Sequence, residues 1–146
     1  MEKQKEQSVD PEQGTGVRAI EVAIPFKTPD LTFAALESAA MLGNELNVNL
    51  RLIQVHVVPY SLPLDKPSVR RDHLERNLRS IAQRSTVPVQ PELVFARDWE
   101  EGFRRSLHPR SVVLIPIRKS WWRSNDKRMA ERLRKHGHKV IWVDCE

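Results

Sequence analysis

At 146 residues, with 40% hydrophobic and 29% charged residues and a net charge of +5, the chain has the make-up of one globular domain. That length buries about two-thirds of the unfolded surface without covalent staples, and the single cysteine, Cys145, excludes an internal disulfide or a cysteine-based zinc site. No run approaches the roughly 18 apolar residues of a membrane span, which excludes a helical membrane protein.

The polar amino terminus MEKQKEQSVDPEQGTG lacks the apolar centre of a secretory signal. A disordered tail over residues 1–17 is therefore expected, ahead of one domain over residues 18–146 in the cytoplasm. Residues 19–26, AIEVAIPF, read as a first strand. Thr28 and Pro29 supply a helix cap and a first helical residue. The following helix carries Phe33, Leu36, Ala40 and Gly43 on one face. A second strand covers residues 49–58. After a proline-bearing stretch, Leu74, Leu78, Ile81 and Ala82 line a second helix whose other face holds Arg70, Arg71, Arg76, Arg79 and Arg84, read as solvated.

Residues 87–96 form a strand containing Pro88 and Pro91, which assigns it to an edge, since proline cannot donate to a central ladder. Asp98 and Glu101 have the spacing of a capping box and open a short helix with Phe103 and Leu107 inward. The unbroken apolar run at residues 111–117 reads as a strand covered on both faces. Met129, Ala130 and Leu133 stripe a last helix, Gly137 suits its left-handed end, and residues 139–143 close the chain as a fifth strand. Strict strand–helix alternation without hairpin signals points to a parallel sheet with helices on both faces and a ligand crevice beyond the strands' carboxyl ends.

The pieces EVAIPFKTPDLTFAALESA, LIQVHVVPY, SVVLIPIRK and MAERLRKHGHKVIWV, in that order, resemble the universal stress protein family. The resemblance implies a Rossmann-like α/β domain whose five-stranded, mainly parallel sheet has the order 3-2-1-4-5. ATP-binding members carry an Asp after the first strand and a glycine-rich loop after the fourth. Here those positions fall at Lys27, at Pro116, Lys119 and Lys127 for the glycines, and at Arg128 for the final hydroxyl residue. No glycine lies between Gly102 and Gly137, and Pro116 has no N–H to offer a phosphate. The resemblance places ligand contacts at Lys27, Thr28, Val57, Pro116, Arg118, Lys119, Ser120, Lys127 and Arg128. Ordinary ATP binding is not expected there; weak binding of small anions through side chains is, with an adenine nucleotide as the alternative ligand.

Trp121 and Trp122 follow the fourth strand among basic residues. They are expected to plug the vacated cleft rather than to stack a base. The pair is also similar to universal-stress-type domains appended to some amino-acid permeases, which makes a transporter a candidate protein partner. Residues 118–139 carry nine Lys or Arg against Asp126 and Glu131, a surplus of seven that leaves the rest of the chain at −2. That segment reads as solvated charge, with nonspecific nucleic-acid association as a further alternative and not the expected one. The last strand, at the sheet edge implied by the resemblance, carries Val140, Ile141, Trp142 and Val143, and a homodimer through it is expected.

His136 and His138 lack a carboxylate or thiolate to complete a metal site, so no metal is expected. No nucleophile, base and orienting group assemble, so no catalytic residues are assigned and the role expected is non-enzymatic binding or regulation in stress response, without a cofactor.

Overall fold

The computed structural model describes residues 19–65, 70–118 and 124–145. The expected tail, together with Lys119, Ser120, Trp121 and Trp122, lies outside the described residues. Among the described residues nine elements alternate: β1 (Ile20–Pro25), α1 (Pro29–Glu45), β2 (Val48–Val57), α2 (Arg71–Ala82), β3 (Val89–Ala96), α3 (Trp99–Ser106), β4 (Val112–Ile117), α4 (Ser124–Lys135) and β5 (Lys139–Asp144). All pairings are parallel, and the order is β3-β2-β1-β4-β5. Pro91 does lie on an edge strand, opposite Leu52 of β2.

Alternation along each strand sends side chains to two cores. Val22, Ile24, Leu50, Leu52 and Leu114 meet Ala35, Leu36 and Ala39 of α1 and Leu78 and Ile81 of α2. Ala23, Ile53, Val55, Val113 and Ile115 meet Phe103 of α3 and Met129 and Leu133 of α4. Each fully buried aliphatic or aromatic side chain stabilises by about 1.5–3 kcal/mol over its exposed state, so both faces contribute heavily. The helices on both faces are thus a direct product of strands that are apolar in either parity.

Local signals end the elements where chemistry demands. The Thr28 hydroxyl accepts from Leu31 N at 3.3 Å and the Asp98 carboxylate from Glu101 N at 2.9 Å, each satisfying a helix donor that has no partner in its own turn. Gly137 closes α4 at φ 92, a conformation open to glycine at no steric cost. Asp98→Ala should cost about 1 kcal/mol, measured by chemical denaturation, because Glu101 N would be left to water alone. Two of the arginines expected on the solvated face of the second helix depart from it: Arg71 of α2 lies 4.5 Å over the Phe95 ring, and Arg84, past the end of the helix, 4.0 Å over Phe33.

Candidate functional site: the crevice between β1 and β4

The order of strands reverses between β1 and β4, and the carboxyl ends of these two strands open a crevice there. One wall is the β1–α1 turn. Phe26 N donates to Ile53 O at 2.8 Å, and Lys27 N to the hydroxyl of the fully buried Thr32 at 3.3 Å, so the backbone that carries Lys27 is pinned to the core. Its ammonium leaves the turn and reaches Asp126 Oδ1, 3.0 Å away in the first turn of α4. Both side chains are mostly shielded, at 24% and 22% exposure.

This ion pair is a strut across the crevice, with a hollow on either side. On the α1 side a cavity of about 520 Å³ is lined by Thr28, Leu31, Pro116, Ile117 and Arg118 besides the pair itself. On the α3 side one of about 640 Å³ is bounded by Phe26, Gln54, Trp99, Glu100, Met129 and Arg132. Charges are matched around the first, and the second carries one carboxylate in excess, that of Asp98. Arg118 lies 3.9 Å from Asp30, and Arg132 pairs with Glu100 through two nitrogens. Trp99 stacks on Phe103 at 5.2 Å, so the floor of the second hollow is continuous with the core.

Of the positions expected from sequence, Lys27, Thr28, Pro116 and Arg118 come together at the first cavity. Lys127 and Arg128 are exposed on α4 and line neither hollow, and Val57, 44% exposed at the end of β2, also lies outside both. Asp126 was visible in the sequence only as one of two acids in a basic segment; its partnership with Lys27 spans 99 positions and left no local signal. Trp99 and Arg132 likewise reach the site from segments that sequence alone assigns to helix packing and surface.

Other chemically capable groups are occupied elsewhere. His138 Nδ1 accepts from Ser111 N at 3.1 Å, and His136 Nδ1 donates to the Arg132 carbonyl at 2.8 Å. Burial, aided by the neighbouring His136, holds the His138 imidazole below its ordinary range, which favours the neutral acceptor form. Burial likewise pushes the Cys145 thiol up, away from thiolate chemistry. Among the described residues no three His, Cys, Asp or Glu side chains gather for a metal. At the far edge, Val140 and Trp142 pack toward α4's core and Val143 is buried in the other, while Ile141 stays 44% exposed. Among the described residues no helix is long and apolar enough to cross a membrane.

No family model matches the chain, and no curated protein matches it. Among solved structures it is similar to a protein from the universal stress protein family from Burkholderia pseudomallei, with a TM-score of 0.54 and 18% identity over 84% of this chain and 94% of that one. At that identity the likeness is one of fold, and the fold is a universal-stress-protein-like α/β domain with its crevice between β1 and β4.

Proposed function

We propose that the protein is a non-enzymatic, universal-stress-like binding or regulatory module of the cytoplasm, whose crevice does not hold ATP in the ordinary way. The observation that carries this reading is the Lys27–Asp126 strut. A phosphate ligand at the start of α4 would be drawn by unpaired N–H groups and the helix's positive end. Asp126 already places a carboxylate in that first turn, and Lys27 already has its counter-ion. An incoming polyphosphate would have to break the pair and then tolerate Asp126 beside it. Pro116, lining the same hollow, has no N–H to add.

Weak anion binding is the second reading, favoured by Lys27 and Arg118 facing one cavity. Calorimetric titration with ATP and Mg²⁺ addresses both. The native chain should bind only weakly and lose the signal at physiological salt. Asp126→Asn should tighten binding at low salt by about tenfold, roughly 1.4 kcal/mol, by freeing Lys27 and removing a like charge. Micromolar ATP binding by the native chain that survives salt and is lost in Lys27→Ala would overturn the reading.

A homodimer through β5 belongs to the same proposal. That strand is at the sheet edge, and Ile141 is the apolar side chain it leaves exposed. Sedimentation should give a dimer at micromolar concentration, and Ile141→Lys a folded monomer. A monomeric native chain would remove this part of the proposal.

A further inference from the structure

Cations from four segments of the chain gather at one end of the sheet. At the crevice end Lys27, Arg118 and Arg132 each face a carboxylate. At the opposite end, where the strands begin, Arg105, Arg110, Arg134, Lys135 and Lys139 are exposed, and among the described residues none of the five has an ion-pair partner. They come from the last turn of α3, the turn before β4, the last turn of α4 and the start of β5. Hydrogen bonds lock the last three of those segments together: Ser111 N to His138 Nδ1 at 3.1 Å, Lys139 N to Ser111 O at 3.0 Å and His138 N to Leu133 O at 3.1 Å.

The acids of this end offset the five only in part. Glu21 is held by His108 at 2.8 Å and Asn49 at 3.1 Å. Glu45 ends α1 on the other face, and Glu131 lies a turn before Lys135 on α4. Because α4 is about 18 Å long, the basic segment seen in sequence is divided in space: Lys127 and Arg128 sit toward the crevice, whereas Arg134 and Lys135 join cations from elsewhere.

Arg110 adds an independent argument. It has φ 56, in the left-handed region, directly after Pro109 in the turn between α3 and β4. A turn with proline followed by a left-handed residue takes glycine at that second place without strain. An arginine held there costs stability that glycine would not, which points to a use for its guanidinium.

We propose that this end of the sheet is a docking surface for the phosphate backbone of duplex nucleic acid, engaged by Arg105, Arg110, Arg134, Lys135 and Lys139. Guanidinium groups bind phosphate through two parallel hydrogen bonds, and three of the five are arginine. None of the four segments that supply the cations presents an exposed Phe, Tyr or Trp for stacking single strands or anchoring a protein partner. The exposed Ile20 and Leu46 lie on the α1 side of this end. Recognition is therefore electrostatic and independent of sequence. This surface is separate from the crevice, so its failure leaves the crevice reading untouched.

The test is fluorescence anisotropy of a short labelled duplex of mixed sequence with the full chain, between about 50 and 200 mM salt. Affinity should fall with a log–log slope of about −4. The triple variant Arg134→Gln, Lys135→Gln, Lys139→Gln should bind at least about tenfold more weakly, with a slope reduced by about 3. Arg110→Gly should melt no lower than the native chain yet bind more weakly, which a purely structural role would not produce. Arg76→Gln with Arg79→Gln, on α2, should leave duplex binding unchanged. Absence of binding at the lowest salt, an equal loss in the α2 variant, or displacement of the duplex by polyglutamate or phosphatidylglycerol vesicles at lower charge concentration would overturn the assignment.

Discussion

Gly102→Ala should destabilise the protein by about 2 kcal/mol, although alanine is the better helix former by about 1 kcal/mol. A β-carbon at this position would lie 2.7 Å from Ala96 Cβ and 2.9 Å from Val55 Cγ1. Both atoms belong to the core beneath α3 and are anchored close to strand backbone, so neither can swing aside. Overpacking of this kind costs about 1–3 kcal/mol or more, which outweighs the helical gain. Thermal unfolding should show a loss of roughly 5–10 °C. Ala96→Gly in the same chain should restore part of it, since the two changes share one contact. A variant that melts at or above the native temperature would mean that α3 is not seated directly on β2 and β3.

The consequence extends to the crevice. Asp98, Trp99 and Glu100 open α3 and bound the larger cavity, and Glu100 is the partner of Arg132 on α4. Lifting α3 by a few tenths of an ångström therefore displaces a wall of the site as well as a piece of core. Gly102 is best understood as setting the depth at which that wall stands.

What could be read in the sequence was what depends on neighbours along the chain. The Thr28–Pro29 start, the Asp98 cap and the Gly137 stop are each written within four residues, and each is found in place. The strand order was legible because the proline-bearing third strand and the resemblance independently put that strand at an edge, where the structure has it. The crevice was located by the same logic, at the end of β4. Its contents were not, because Lys27 and Asp126 meet only after three crossovers have folded. The charge surplus misled in a similar way: counted along the chain it is one block, and in space the helix α4 divides it between the two ends of the sheet. Gly102 carried no local signal either, since nothing in the sequence states how closely a helix will approach the sheet.

The second large effect concerns a charge that periodicity treats as one more strand residue. Arg51 lies on β2 at 4% exposure, with Nε 2.8 Å and Nη2 2.5 Å from the two carboxylate oxygens of Glu92 on β3. Nη2 also donates to Ser106 O at 2.7 Å, at the carbonyl end of α3. A guanidinium cannot discharge itself by losing a proton, so removing its partner leaves an uncompensated buried cation. Glu92→Ala should accordingly cost about 3 kcal/mol, near the low end for a buried pair because the glutamate is 27% exposed. Arg51→Met with Glu92→Leu should cost less than Glu92→Ala alone, since two well-packed apolar groups need no desolvated charge. Arg51→Met alone should fall between them, losing the Ser106 contact but leaving Glu92 able to reach water. Urea denaturation of the three variants measures the ordering. A cost below about 1 kcal/mol for Glu92→Ala would place the pair in the surface class, with water already reaching Arg51. The expected ordering would instead identify the pair as the tie that fixes the edge strand β3 and the end of α3 to β2, and through α3 the position of Trp99 and Glu100 at the crevice.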